Sequence, residues 1–133
     1  MPNVILKKDQ KILSSKLPGR KRVFLIGMER GAKFLKADLF TYSPLAESEE
    51  HFHTTESFTY IIEGKCEMLI DGTKYKLGKQ SAVLLNAKER HNVKNTGKKK
   101  MVMLEVYGPL AEVGTVWSKD GVSRGWVNPS SKS

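Results

Sequence analysis

The chain has 133 residues, of which 39% are hydrophobic and 28% are charged, and its formal net charge is +9 at pH 7. This length suits one domain, the composition is that of a soluble globular protein, and no apolar run approaches the roughly 18 residues of a membrane span. A single cysteine, Cys66, excludes an internal disulfide. We therefore expect one domain over residues 1–133, in the cytoplasm, with no secretory signal.

Basic residues form three groups along the chain: Lys7-Lys8, Arg20-Lys21-Arg22 and Lys98-Lys99-Lys100. The groups are far apart, lack interleaved aromatic residues, and two of them adjoin glycines where turns are expected. We interpret them as solvated turns and expect no binding to nucleic acid. The positive balance favours a small anionic ligand instead, because a positive field concentrates carboxylates and phosphates.

The first half of the chain is predicted to be extended. An entry strand and loop over residues 1–22 lead to a strand at Val23–Gly27 and an alternating segment at Ala32–Tyr42. The alternate residues on one side of that segment are apolar, whereas those on the other side include Lys36 and Asp38. The sequence leaves open whether these two charges face the interior or the surface, and the same question stays open for Glu105.

Short strands separated by turns account for the second half. Asp71-Gly72 is the strongest hairpin signal, because this dipeptide tolerates the positive φ angles of a type I′ turn. The predicted strands are Ser57–Glu63, Cys66–Ile70, Thr73–Leu77, Ala82–Leu85 and Met101–Tyr107. No stretch has a convincing helical period, so the pattern predicts an all-β sandwich or barrel. A flexible tail is expected over residues 128–133.

The three histidines are the strongest indication of a functional site. His51 and His53 are two residues apart, so on one strand their side chains point to the same face. Imidazole is the commonest protein ligand for divalent transition metals. With His91 from a distant polar loop as a third ligand, positions on the metal stay open for substrate, as in catalytic rather than structural sites.

Residues 43–109 resemble the motif-bearing core of the cupin superfamily. The first cupin motif has His-x-His, a glutamate four residues later and a glycine seven residues after that. Here His51, His53 and Gly64 match, Ser57 occupies the glutamate position, and Glu56 comes one residue early.

The second motif of the family reads Pro-x-Gly-x-x-His-x-x-x-Asn. His91 and Asn95 match it, whereas Asn86 and Lys88 replace the proline and glycine. The glycine that opens the first motif is also replaced, by Leu45.

The resemblance implies a double-stranded β-helix, the cupin jelly-roll barrel, in which two antiparallel sheets enclose a pocket. It implies that His51, His53 and His91 bind a divalent transition metal, which is Fe, Mn, Ni, Cu or Zn. Asn95 and Thr59 are expected to support these ligands or to contact the substrate. A homodimer is also expected, with Trp117 and Trp126 at a subunit contact or over the mouth of the barrel.

The fourth ligand stays open between two neighbours. If the strand after His53 is regular, alternate residues from His51 to Ile61 face inward, Glu56 faces outward, and Ser57 can hold a water or a substrate oxygen. A one-residue bulge before Ser57 would bring Glu56 to the metal instead. We favour the regular strand, since a bulge is uncommon at any given place.

The function implied by the resemblance is that of a metal-dependent enzyme acting on a small, anionic organic molecule. A three-histidine dioxygenase is the most concrete form, because three neutral imidazoles leave the full charge on the metal. Isomerase or lyase chemistry is less expected. The alternatives are a non-catalytic cupin that binds metal or a small ligand as a sensor or store, and a cupin that has lost its metal.

Overall fold

The computed structural model describes residues 3–15, 18–117 and 126–127, which form twelve β-strands and three single turns of 3₁₀ helix. The strands are β1 Lys11–Ser15, β2 Arg20–Ile26, β3 Lys36–Tyr42, β4 His51–His53, β5 Glu56–Glu63, β6 Cys66–Ile70, β7 Thr73–Leu77, β8 Ala82–Leu85, β9 His91–Asn95, β10 Met101–Gly108, β11 Thr115–Trp117 and β12 Trp126–Val127. The 3₁₀ turns are Lys7–Asp9, Met28–Arg30 and Leu110–Glu112. None of the helices among these residues is long and apolar enough to cross a membrane.

The strands pair in antiparallel fashion to form two sheets. The larger sheet has the order β12-β1-β2-β3-β10-β5-β8, and the smaller sheet has the order β11-β4-β9-β6-β7. Several neighbours are distant in sequence, among them β3 and β10, β10 and β5, and β4 and β9, which is typical of a jelly roll. The predicted all-β jelly-roll barrel is thus confirmed. The predicted tail at 128–133 lies outside the described residues.

The predicted turn at Asp71-Gly72 joins β6 to β7. Both residues have positive φ, 45° for Asp71 and 86° for Gly72, as a type I′ turn requires. The hairpin pairs Ile70 with Thr73. This part of the chain folds as its sequence indicates, because the local turn chemistry and the strand alternation agree.

The prediction of one regular strand from His51 to Ile61 is wrong, because the chain forms two strands there. The predicted alternation of inward and outward side chains is nevertheless correct. A bend at Thr54-Thr55 separates β4, in the smaller sheet, from β5, in the larger one. Thr54 donates hydrogen bonds to the 112–114 segment from its backbone and its hydroxyl, and these bonds hold the corner. Alternate residues stay buried through the bend: His51, His53, Thr55, Ser57, Thr59 and Ile61.

The interpretation of Arg20-Lys21-Arg22 as a solvated turn is wrong. Strand β2 begins at Arg20, which pairs with Tyr42 of β3 and is only 5% exposed. Arg20 and Arg22 share the inward parity of the strand. The turn predicted from Gly19 is present, and the strand begins at the next residue. Composition alone does not show whether a run of basic residues belongs to a turn or to a strand.

Strand β3 is shorter than predicted, and its mixed face is the inward one. Asp38, Phe40 and Tyr42 are buried, whereas Ala37 and Leu39 on the apolar parity are half-buried. The apolar side chains inside the barrel form a cluster at one end. This cluster consists of Phe40, Tyr42, Ala46, Ile61, Cys66, Met68, Val93, Met101 and Met103.

Candidate metal centre

The three histidines meet at the end of the barrel that lies beyond the apolar cluster. His51 and His53 belong to β4, and His91 begins β9, which pairs with β4 at His51. His91 was expected in a loop, so its place on a strand corrects the sequence interpretation. All three side chains are buried, and one ligand nitrogen from each lies within 4.8 Å of the others.

Hydrogen bonds fix the orientation of the imidazoles. Nδ1 of His51 lies 2.7 Å from the carbonyl oxygen of Glu49, and Nδ1 of His91 lies 3.0 Å from that of Glu89. A carbonyl only accepts, so each Nδ1 must carry a hydrogen, which in a neutral ring leaves the lone pair on Nε2. His53 places Nδ1 3.1 Å from the Thr115 hydroxyl.

The Nε2 atoms are suited to a metal. Those of His53 and His91 are buried and have no hydrogen-bond partner among the described residues. A buried acceptor without a partner is costly, and coordination of a cation would remove that cost. Imidazole nitrogens are among the donors that Zn, Cu, Fe and Ni prefer.

Burial also keeps the imidazoles of His51 and His53 neutral. It lowers the pKa of His51 to about 3 and that of His53 to about 2, with further lowering from the neighbouring histidines and arginines. Both rings are therefore unprotonated at pH 7. Metal ligation requires this state, because a protonated imidazole has no lone pair to donate.

A cavity of about 170 Å³ opens in front of the histidines, and Arg20 and Arg22 are among the residues that line it. The guanidinium of Arg22 lies 2.6 Å from Oδ2 of Asp38, and the ammonium of Lys36 lies 2.8 Å from the same oxygen. Asp38 is fully buried, and its Oδ1 has no hydrogen-bond partner in the described part of the chain. Arg20 adds a third cation and donates to the Tyr42 hydroxyl at 3.3 Å.

An acid and a phenol lie beside the histidines. Tyr107 packs edge-on against the ring of His53 and donates a hydrogen bond to Glu105. Burial raises the pKa of both groups. Glu105, whose direction the sequence left open, thus faces the interior, and burial favours its neutral form.

The other residues expected at the site are divided between the interior and the surface. Glu56 is exposed, and so it lies outside the histidine cluster. Ser57 is buried, and its hydroxyl lacks a partner within the described residues. The Thr59 hydroxyl lies 3.5 Å from Glu105. A metal-binding or water-holding role for Glu56 or Ser57 stays a prediction.

Asn95 supports the loop that follows β9. Its amide nitrogen donates to the carbonyl oxygens of Tyr42 and Lys99, both at 2.9 Å, and its side-chain oxygen accepts from the Gly97 backbone at 2.9 Å. These bonds occupy the amide in holding the backbone. We therefore expect Asn95 to act on the site only through the position of strand β9, on which His91 lies.

Sequence reasoning missed the cationic wall of the cavity. Arg20, Arg22 and Phe24 alternate along β2 and all line the cavity. This alternation is the signal that could have identified them, but it is hidden by Lys21, which makes the run look like one basic cluster. Tyr107 was assigned to a strand but not to the site.

Comparison with known proteins matches residues 38–107 to the cupin domain. A polyketide synthase, CurC, from Streptomyces cyaneus is 29% identical over 94 residues, which cover 70% of this chain and 61% of that protein. The match thus spans about three fifths of the length of this curated relative.

Solved structures show the same fold in proteins with different chemistry. The polyketide cyclase RemF from Streptomyces resistomycificus has a TM-score of 0.74 at 20% identity, covering 91% of this chain and 89% of that chain. Salicylate 1,2-dioxygenase from Pseudoaminobacter salicylatoxidans has a TM-score of 0.69 at 12% identity, covering 80% of this chain and 31% of that chain. At these identities the likeness shows the fold alone.

Proposed function

The chain belongs to the cupin domain family, and on that basis we propose that it is a metal-dependent enzyme acting on a small anionic organic molecule. The observation that supports this most strongly is the convergence of three buried imidazoles. Backbone carbonyls fix a hydrogen on Nδ1 of His51 and His91. The buried Nε2 atoms of His53 and His91 have no hydrogen-bond partner among the described residues. Such a set costs stability unless it binds a cation.

His51, His53 and His91 would hold the metal, which supplies a Lewis acid with open coordination positions. Glu56 is exposed and takes no part in this proposal. Histidine ligands bring no negative charge to the metal, so the positive charge of the site is left to be balanced by the substrate. This favours a substrate that brings negative charge with it.

The charges around the cavity support an anionic substrate. Arg20 and Arg22 line the cavity, and the ammonium of Lys36 lies over the ring of the lining residue Tyr107. Arg22 and Lys36 share the carboxylate of Asp38. Even with Glu105 ionised, the three cations outnumber the two carboxylates, Asp38 and Glu105. The excess is therefore positive, and it would attract and orient a carboxylate or an enolate.

The size of the cavity supports a small substrate. Its volume of about 170 Å³ is below the range of roughly 300–1,000 Å³ that is usual for drug-sized ligands. A compact aromatic acid, a diketone or a thiol is of suitable size.

The specific form that we propose is a dioxygenase, which would cleave or oxidise this anion with molecular oxygen. Glu105 and Tyr107 would hold a proton next to the reacting group, because burial favours the protonated form of each. Arg20 and Arg22 would orient the anion toward the histidines. The similarity to salicylate 1,2-dioxygenase is compatible with this form.

Cyclisation of a polyketone is the second candidate, and a specific observation favours it. One curated relative is a polyketide synthase, and a solved structure that covers 91% of this chain is a polyketide cyclase. Such a reaction needs a Lewis acid and a proton donor but no oxygen. Oxygen consumption therefore separates the two candidates.

The test begins with the metal content of the purified protein, measured by mass spectrometry. We expect one metal per chain in the wild type, loss of the metal in His53→Ala, and no change in Glu56→Gln, the matched control on the outer side of β5. Chelated protein is then reloaded separately with Fe(II), Mn, Ni, Cu or Zn. Oxygen uptake is recorded with aromatic acids, diketones and thiols.

The outcomes distinguish the candidate functions. Oxygen uptake with an anionic substrate and one particular metal supports the dioxygenase, and oxygen-independent conversion of a polyketone supports the cyclase. Metal binding without turnover of any substrate would favour a sensor or storage role. A folded protein that takes up no metal would contradict the proposal and favour a cupin that has lost its metal.

A further inference from the structure

Strand β4 contains two of the three histidines, and its main neighbour in the sheet comes from the other end of the chain. In the described part of the chain, β4 pairs with β9 at a single position, His51 with His91. It pairs with β11 at all three of its residues. These pairs are His53 with Thr115, Phe52 with Val116, and His51 with Trp117. The strand with the candidate ligands therefore depends on β11 for most of its pairing.

The hydrogen bonds of the imidazoles show the same dependence. The Nδ1 atoms of His51 and His91 each lie beside a backbone carbonyl two residues earlier in the chain. Nδ1 of His53 instead lies beside Oγ1 of Thr115, 62 residues later. The local chain thus orients the first two rings, whereas the orientation of His53 depends on the position of β11.

The Thr115 hydroxyl can decide which nitrogen of His53 faces the metal. Nε2 of His53 is buried and has no hydrogen-bond partner among the described residues. A metal at Nε2 takes the lone pair of that nitrogen, so the hydrogen of the neutral ring must lie on Nδ1. Oγ1 of Thr115 accepts this hydrogen at 3.1 Å, which fixes both the tautomer and the rotation of the ring. Such partners of metal-binding histidines typically change metal affinity by roughly 10- to 100-fold.

Contacts other than its own side chain hold Thr115 in place. The backbone N–H of Thr54 donates to the carbonyl oxygen of Gly114 at 3.0 Å. The Thr54 hydroxyl donates to the carbonyl oxygen of Glu112 at 2.6 Å. Thr115 follows Gly114 directly, so these bonds set the position of its hydroxyl relative to His53. Replacing the hydroxyl alone should therefore leave β11 paired with β4.

We propose that Thr115 is a positioning residue of the metal centre, and that metal binding and the pairing of β11 with β4 stabilise each other. This inference rests on the proposed metal site. The two effects are linked, because a paired β11 that raises the metal affinity by some factor must itself be stabilised by the metal by the same factor. Strand β11 is thus a part of the metal centre, although its position in the sequence is remote from the histidines.

The proposal uses the backbone of β11 and the side chain of Thr115. The side chains of Trp117 and Trp126 lie outside the described part of the structure. Their expected place at a subunit contact or over the mouth of the barrel therefore stays a prediction.

Zinc affinity tests the role of the hydroxyl. Metal-free full chain is titrated with Zn(II) alone in competition with a chromophoric chelator. We expect Thr115→Val to raise the dissociation constant about 10- to 100-fold, because valine keeps the branched shape suited to a strand but accepts no hydrogen bond. Thr115→Ser keeps the hydroxyl and should stay within about threefold of the wild type. Thr73→Val is the matched control, since it makes the same change on β7, the opposite edge strand of this sheet, and it should have no effect.

The outcomes separate this inference from the proposed metal site. Circular dichroism confirms that each variant is folded. If Thr115→Val binds zinc as tightly as the wild type, or if Thr115→Ser loses as much affinity as Thr115→Val, the role of Thr115 is overturned and the metal site stands. A wild type that binds no zinc, or whose zinc affinity is unchanged in His53→Ala, would overturn both.

Hydrogen exchange of the wild type tests the coupling without any variant. Amide exchange is followed by mass spectrometry in the peptide that covers residues 113–117, with and without saturating Zn(II). We expect zinc to slow exchange in this peptide at least about fivefold, because opening of β11 would weaken the bound metal. Exchange in the peptide that covers residues 73–77, on β7, should change less than about twofold. Equal exchange at 113–117 with and without bound zinc would overturn the coupling.

Discussion

The two ends of the barrel interior differ in character although the same strands line both. On β10, Met101 and Met103 belong to the apolar cluster, and the next two inward residues are Glu105 and Tyr107. Strands β3 and β5 change in the same way, from Tyr42 and Phe40 to Asp38 and from Ile61 to Thr59 and Ser57. One end therefore stabilises the fold, and the other end holds the polar side chains of the candidate site.

The difference shows that alternation and polarity carry separate information. Alternation decides which side chains face inward, and it holds at both ends. Polarity decides what an inward position does. The apolar end gains from burial, whereas at the polar end each buried group must be paired with another group or with a ligand.

The largest expected effect is at the polar end, where Asp38 holds two cations. Asp38→Asn leaves Arg22 and Lys36 without their shared carboxylate, and we expect the free energy of unfolding to fall by about 4 kcal/mol. Urea denaturation measures this. Glu67→Gln is the control, because its pair with Lys74 spans 3.6 Å at an exposed site and contributes less than about 1 kcal/mol. Equal losses in the two variants would contradict the account.

The apolar end is tested at Gly64, which has a φ of 81°. A Cβ at this position would lie 2.7 Å from the carbonyl oxygen of Lys100 and 2.9 Å from Cα of Met101. We expect Gly64→Ala to cost about 3 kcal/mol, from the left-handed backbone and the steric contact together. Gly72→Ala shares the left-handed backbone but meets no atom within 4 Å, so it should cost only about 1 kcal/mol in the same measurement.

The histidines predict a pH dependence of the metal-free protein. The folded-state pKa of His51, about 3, and that of His53, about 2, lie below the unfolded value of 6.5, so the unfolded state binds more protons. Stability is therefore present above pH 6.5 and falls as the pH falls toward those folded values. Each of these two histidines contributes a loss of roughly 2–3 kcal/mol between pH 6 and pH 4.

His53→Gln should remove one of these contributions from the pH profile of urea midpoints. Glu105 changes the stability with pH in the opposite direction, because its folded pKa is raised. This contribution is the same in the wild type and the variant. An unchanged profile would mean that His53 is not buried in its neutral form.

The smallest expected effect concerns the turn that braces β4. Lys88 has a φ of 70°, and its backbone donates to the carbonyl oxygen of His53 at 2.8 Å. Lys88→Gly keeps that bond and relieves the left-handed side chain, so the thermal midpoint should rise by the equivalent of about 1 kcal/mol. Ala87→Gly, one residue earlier, should lower it. A fall in both variants would contradict this interpretation.

Much of this comparison was accessible from the sequence. The strands at Cys66–Ile70, Thr73–Leu77 and Ala82–Leu85 were predicted with the correct ends. The inward parity of His51 and His53 followed from their spacing. These features depend on local alternation and turn chemistry, which a short stretch of sequence contains.

The rest depends on contacts between distant segments. The bend at Thr54-Thr55 is held by residues 112–114, and the inward direction of Arg22 is defined by its pairing with β3. Lys88 and Leu45 replace glycines of the cupin motifs but keep positive φ, 70° and 68°. The sequence alone does not show this, because residues other than glycine rarely adopt positive φ.

The central claim is that the polar end of the barrel holds a metal through three imidazoles. Anomalous diffraction from crystals of the metal-loaded protein tests this directly. We predict one peak about 2.0–2.2 Å from Nε2 of His51, His53 and His91, with no oxygen of Glu56 among the ligands. A peak ligated by Glu56, a peak elsewhere on the chain, or no peak at full metal loading would contradict the account.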